Sequence, residues 1–536
     1  MNRRGRTSSP GLGRQVRTLL TRLQNLRAPT APDAPALSLR DPWPGDPSRG
    51  ARLVRGELDY AGAVLAMPAG IFATAGATPL LRAHALGFTW LRDLRALGTD
   101  AARARARALV SDFMDTSRAD AAANAPDVLG ARLASWLGHY DFFAASADDD
   151  FRQRLMSRLV QDARRLAATL PPEYLDQRAL TALKGLAAAA IAMGEHVPYL
   201  PRVLKFLPAE LERQFLADGC HAERSPAAHL AALQDLTELR ALLQAAGTPP
   251  PPELRGAIER AAAALRSLRH GDGGLALFNG SKEDLPSLID LVLAQTGRAR
   301  GALAPLGASG LYRIAVAKSI LIMDAGCPPP PGLDRLAHAG TLGFEFSCGK
   351  ERLVVNCGAA PALAGEWAAA LRGTAAHSTL TLGDVSSAEI LETGGLGRRP
   401  TQVHAHRQNL AGMHWLEANH NGWHELFGAI HHRRLGLSES GEELQGEDLI
   451  EAPVPQPFAI RFHLHPNVTA SLQQDDETVL LRTPSGLGFR LRAEGAVPKL
   501  EESVYFGQAE PRRAEQILLP GHQDGPQHIK WTITRI

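Results

Sequence analysis

The segment DGCHAERSPAAH gathers three side chains that could handle a sugar acid: Glu223, Arg224 and His229. A guanidinium grips a carboxylate through two parallel N–H···O bonds. An imidazole takes or gives a proton near neutral pH. Ser225 and Pro226 read as the N-cap and first-turn proline of a helix, which puts His229 one turn along it. The plainer reading of the same residues is that Glu223 and Arg224 only cap and pair. WLGHYDFF adds His139 and Tyr140, either as cleft groups stacking on a sugar ring or as aromatic fill for a helical core. Lys184, in TALKGLAAA, could neutralise a carboxylate or be a solvated helix end. His270, Asp272 and Asn279 belong to HGDGGLALFNG, a Gly-rich turn in which Asp and Asn bond the local backbone with or without a ligand. In the second half His414, His420, His424, His431 and His432 crowd one stretch, and His463 and His465 another. One of these, from the HNGWH loop, could supply an acid; most are expected at the surface. Glycoside hydrolysis needs two carboxylates at a set separation, and Glu223, Asp272 and Asp218 form no evident pair.

The elements that would position these groups fall into two blocks. From about Thr78 to Thr296, stretches such as LLRAHALGFTWLRDLRAL, DVLGARLASWLGHYDFFA and DFRQRLMSRLVQDARRLAATL repeat apolar residues at helical spacing. Short links such as LPPE, GTPPPP and HGDGG stop them, so successive helices pack as antiparallel hairpins, in a bundle or an incomplete α/α toroid. Beyond Gly297 to Gly307 the period changes to that of strands, from SGLYRIAVAKSILIMDAG through HSTLTLGDVSSAEIL to KWTITRI. The expectation is a multidomain α-then-β chain, with an antiparallel β-sandwich as its C-terminal part. The divisions are a basic segment and linker over 1–50, a helical domain over 51–300 and a sandwich over 301–536.

With 58 Lys and Arg against 56 Asp and Glu, the formal charge is +2, which argues against a dedicated nucleic-acid binder. A locally basic groove would suit an acidic glycan, although arginines also serve to keep Ala/Leu-rich helices soluble. Four cysteines do not make a disulfide framework; Cys348 and Cys357 flank a hairpin, and buried free thiols are expected. No stretch approaches a membrane span. The Arg-rich opening, Met1 to Leu26, reads as a short amphipathic helix before a Pro/Ala linker rather than a secretory signal, giving a cytoplasmic expectation.

Three strand-region segments, AHAGTLGFEF, VVNCG and TAAHST, follow one another in the order of the signature of the heparinase II/III-like polysaccharide lyases. DGCHAERSPAAH and LRHGDGGLALFNG are similar to that family's helical motifs, and the resemblance runs from about Trp43 to the end. It implies an incomplete α/α toroid followed by a β-sandwich, with an acidic, uronate-containing polysaccharide as partner in the groove between them. The implied reaction is β-elimination: a donor neutralises the C5 carboxylate, a Tyr or His removes the adjacent proton, and an acid protonates the departing oxygen. The implied catalytic positions are Arg224, His229, His139 and Tyr140. The family tyrosine falls on Ala228, which moves no proton. The family's structural zinc falls on His338, Asn356 and His377, with Leu336 in place of a further histidine; Asn356 lacks the charge of the usual carboxylate. The alternative is a histidine pair hydrogen-bonded to strand ends. A second class of function therefore stands beside the lyase: a catalytically divergent glycan-binding or envelope-assembly protein. The resemblance also adds periplasm or cell envelope to the possible locations.

Overall fold

The computed structural model describes residues 31–67, 77–115, 120–297, 303–363, 365–474, 477–508, 510–523 and 525–536. The amphipathic helix expected over Met1 to Leu26 lies outside them. Helices occupy the first half: α1 Pro47–Val54, α2 Pro79–Gly87, α3 Leu91–Leu97, α4 Asp100–Asp115, α5 Pro126–Gly138, α6 Tyr140–Phe143 and α7 Asp149–Ala168. They continue with α8 Arg178–Met193, α9 Leu200–Gln214, α10 Pro226–Ala245, α11 Pro252–Ser267 and α12 Pro286–Gln295, and a small hairpin, β1 Glu57–Tyr60 and β2 Ala63–Ala66, interrupts the early part.

Local chemistry sets these boundaries. Proline opens α5, α10, α11 and α12, where its missing N–H is no loss. The Asp148 carboxylate caps α7 by accepting the Phe151 N–H at 2.8 Å, and Ser225 Oγ caps α10 by accepting that of Ala228 at 3.3 Å. The Ala-rich α8 is buried almost all round, as a helix without a polar face must be. Its Gly185 presses on Gly130 of α5 so closely that a Cβ there would sit 2.0 Å from the Gly130 carbonyl oxygen.

Two expected helices divide. LLRAHALGFTWLRDLRAL breaks at Phe88, whose φ of 58° turns the chain. That turn drops the Phe88 ring among Trp90, Trp136 and Phe113 at centroid distances of 5.0, 5.2 and 5.4 Å. DVLGARLASWLGHYDFFA breaks at His139, the cap between α5 and α6. The stretch before residue 51, expected as linker, ends inside the helical domain: Leu39 and Trp43 are buried in its core.

The second half holds β3 Leu311–Val316, β4 Ser319–Asp324, β5 Phe344–Cys348, β6 Glu351–Val355, β7 Leu380–Leu382, β8 Val403–Leu410, β9 Met413–Trp423, β10 Ala429–Ser438 and β11 Glu443–Glu451. After them come β12 Gln456–Leu464, β13 Thr469–Leu472, β14 Thr478–Arg482, β15 Gly488–Glu494, β16 Lys499–Tyr505, β17 Arg512–Gln523 and β18 Gln527–Arg535. One sheet runs β13-β14-β15-β18-β11-β10-β9-β8; the other runs β16-β17-β12-β6-β5-β4-β3, with β7 also pairing β12. The pairs are antiparallel, and alternate residues of strands such as β11 turn inward to one apolar core. HSTLTLGDVSSAEIL gives only the three residues of β7, because turns take over after Leu382.

The expectation that most of the seven clustered histidines are at the surface is corrected: His420, His431, His463 and His465 are buried. Inward-facing positions carry them, and polar partners accompany them; His431 Nε2 lies 2.7 Å from Asp448, and His463 Nε2 2.9 Å from the Ala375 carbonyl. The four cysteines are free, and all but Cys327 are buried. Among the described residues no helix is long and apolar enough to cross a membrane.

Candidate functional site at the junction of the two domains

Helical and sandwich domains meet along a polar seam built by the turns after α11 and before α10. His270 reaches across to Ser347 Oγ at 2.8 Å and Glu345 at 2.9 Å. Asp272 accepts from Arg352 at 2.7 and 3.2 Å. Asn279, held at a φ of 46°, donates to the Arg224 carbonyl at 3.1 Å and accepts the His338 N–H at 3.1 Å. The Gly-rich turn is both a local turn, with Asp272 accepting the Gly274 N–H at 2.8 Å, and a joint between domains.

Arg224 belongs to the same joint. Its guanidinium pairs with Asp324 and donates to the carbonyls of Ser309 at 2.5 Å, Gly326 at 3.2 Å and Cys327 at 2.6 Å. The expected clamp for a substrate carboxylate is thus already filled by the protein. His229 is no nearer to solvent: its Nδ1 accepts the His221 N–H at 3.0 Å, and its Nε2–H donates to the Ala261 carbonyl at 2.8 Å. Burial holds its pKa down to about 4, so it stays neutral and immobile. Ala228, in the tyrosine's position, is half-buried on the first turn of α10.

His139 and Tyr140 lie where α5 passes into α6. The His139 Nδ1–H donates to the Ser135 carbonyl at 2.8 Å, and Nε2 stands 3.6 Å from the Asp41 carboxylate. Burial lowers its pKa to about 4. Tyr140 is buried, with a hydroxyl that finds no partner among the described residues. Lys184 is a buried ammonium between Asp235 at 2.9 Å and Glu238 at 3.0 Å. Burial opposes its charge, yet the two carboxylates win and hold its pKa above the usual lysine range. All four expected catalytic residues are buried.

Two of the expected metal trio, His338 and His377, form a hydrogen-bonded relay. The Gly373 carbonyl lies 2.8 Å from His377 Nδ1 and can only accept, so that nitrogen carries the proton. His377 Nε2 then accepts from His338 Nδ1 at 3.0 Å. Asn356 is turned to other work: its Oδ1 accepts the Ser378 N–H at 3.0 Å and its amide donates to Glu345 at 3.2 Å. A zinc ion would need the His377 Nε2 lone pair and an anionic ligand. The lone pair is engaged and the third group is a neutral amide. No group of three or more His, Cys, Asp or Glu able to hold a metal occurs among the described residues. These residues do not fit zinc.

A different set gathers beside the seam, on the loop LPPEYLDQR before α8 and at the starts of α5 and α10. Buried Asp176 accepts from Arg178 at 2.9 Å on its own side and from Arg335 of the sandwich domain at 3.4 Å. The Arg178 guanidinium lies 3.9 Å over the Tyr174 ring. Glu223 accepts the Gln177 N–H at 2.9 Å through Oε1, which also lies 3.7 Å from His221 Nδ1. Burial, aided by the Asp176 charge, raises the Glu223 pKa to about 7. Asp127, at the start of α5, keeps a buried oxygen, Oδ1, without a hydrogen bond. Burial raises its pKa as well. Sequence reading picked out Glu223 but missed the rest. The mixed Tyr, Asp and Arg of YLDQR before an Ala-rich helix was the available signal.

Residues 298–532 match the family described as heparinase II/III-like, C-terminal. Over 522 residues the chain is 34% identical to FtsZ-localized protein C of Caulobacter vibrioides, covering 92% of this chain and 89% of that protein. Among solved structures it is similar to one titled heparinase III, at TM-score 0.71 and 12% identity, covering 98% of this chain and 90% of that one. It is also similar to heparan sulfate lyase HepC from Pedobacter heparinus, at TM-score 0.59 and 14% identity, covering 97% and 87%. At such identities the likeness is one of fold.

Proposed function

We propose that this chain, which belongs to the heparinase II/III-like family, works by binding alongside FtsZ and does not cleave uronate polymers by β-elimination. One observation carries the reading: Arg224, the group best suited to neutralise a substrate carboxylate, is filled by Asp324 and three carbonyls of its own chain. Elimination needs that neutralisation, because the proton next to an ionised carboxylate is a poor acid. Two further features support it. Ala228 offers no hydroxyl where the family's base would stand, and His229 is locked by two backbone bonds. The name of the Caulobacter relative supports the location.

Two measurements test the two parts. Incubation with heparan sulfate, hyaluronan and polygalacturonate should give no rise in the ultraviolet absorbance of an unsaturated uronate. Steady product on any of them would overturn the binding reading and restore the lyase. A fluorescent fusion should coincide with FtsZ in dividing cells; an even distribution would remove the second part.

A further inference from the structure

Folded proteins rarely bury a charge without its opposite or a donor without an acceptor, so an unbalanced set describes what is missing. Such a set lies beside α4 and α7. Arg132 and Arg158, 0% and 4% exposed, share one buried carboxylate, that of Asp162. Arg132 donates to it at 2.8 and 3.0 Å, and Arg158 at 2.9 Å. Arg165 also approaches it, at 3.6 Å, but is partly exposed and solvated. The Phe113 ring lies 4.4 Å from the Arg132 guanidinium and 4.6 Å from that of Arg158. A ring face attracts a cation without neutralising it. Arg132 also donates to the Leu86 and Ala123 carbonyls at 3.0 and 3.1 Å. Arg158 Nη1, by contrast, has no partner among the described residues.

Arg158 also lines a cavity of about 270 Å³ between the two helices. Asp150, Gln153, Arg154, Ser157, Arg158 and Gln161, spaced along one face of α7, form one wall, and Met114 of α4 stands opposite. Arg154 is tied to Asp115 and, at 3.7 Å, to Asp150. Both carboxylates are largely exposed, so water screens them and the buried excess stands.

We infer that this cavity binds a small organic carboxylate, which accepts from Arg158 Nη1 and supplies the missing negative charge. The cavity is at the small end for ligand sites, which leaves room for only a few atoms beyond the acid group. Ser157 and the amides of Gln153 and Gln161 suit a hydroxyl beside it. All of these residues belong to the helical domain and none to the seam, so the inference goes beyond the function proposed above and does not depend on it.

Titration calorimetry of the full chain with sodium lactate, at an ionic strength held constant with sodium chloride, tests the assignment. Lactate should bind at a single site, glycerol should give no heat, and inorganic phosphate should bind more weakly than lactate. Ser157→Trp fills the cavity and keeps the Arg158–Asp162 pair; Arg158→Met removes the donor and leaves Asp162 to Arg132. Each should weaken lactate binding by about tenfold or more, at least the worth of a charge-assisted bond. Thermal melts of both variants confirm that they fold. No heat with lactate, an equal response to glycerol, tighter binding of phosphate, or unchanged affinity in the two variants would each overturn the inference.

Discussion

The seam around Arg224 and the cluster around Glu223 are neighbours in sequence and use the same residue types, yet they differ in how their charges are balanced. On the seam three pairs cross the domain boundary: Arg224 with Asp324, Arg352 with Asp272, His270 with Glu345. In the cluster, Glu223 stands beside the Asp176 carboxylate, and Asp127 keeps a buried oxygen without a partner among the described residues. A charged side chain beside a domain junction is therefore no guide to function until its partners are known. Paired, it joins domains; beside a like charge, it holds its proton.

Breaking the seam should have the largest effect. Arg224→Ala leaves Asp324 buried without its cation and should cost about 3–5 kcal/mol, read as a lower denaturation midpoint. A surface-like loss below about 1 kcal/mol would mean that the seam is no more demanding than the cluster.

The cluster should respond in the other direction. Glu223 has a folded pKa near 7 against 4.5 in the unfolded chain. Its proton is thus held more tightly in the fold, and the stability this gives is lost as pH rises from 4.5 through 7. Glu223→Gln should raise stability at pH 8 by about 2 kcal/mol and leave it unchanged near pH 4. The buried histidines slope oppositely. His229 and His377, both near 4 when folded, lose stability as pH falls from 6.5 towards 4. A melting-temperature series in which the variant and the parent run parallel across pH 4–8 would remove the contrast.

The smallest effect is expected at the histidine relay. Chelator treatment should leave the melting temperature unchanged and metal analysis should find less than one zinc per chain. His338→Ala should cost about 1 kcal/mol, the worth of one hydrogen bond. Stoichiometric zinc would show that the relay yields to a metal after all.

Much of the fold was legible before any coordinates. Helical spacing in the first half, strand alternation in the second and the proline and Ser225 caps are local properties, written in residues a few places apart. The breaks at Phe88 and His139 were not legible, because each depends on an aromatic cluster or cap assembled from distant helices. Glu223 and Arg224 illustrate the limit most sharply. Sequence marked both as candidates and set them side by side. Only the fold, bringing Asp324 from 100 residues away and Asp176 from the loop before α8, committed Arg224 to the joint and set Glu223 beside a second carboxylate. The sequence by itself determined which elements form, since periodicity and caps act over one or two turns. Tertiary structure alone decided which polar groups are filled, since pairing is settled between residues that the chain does not place together.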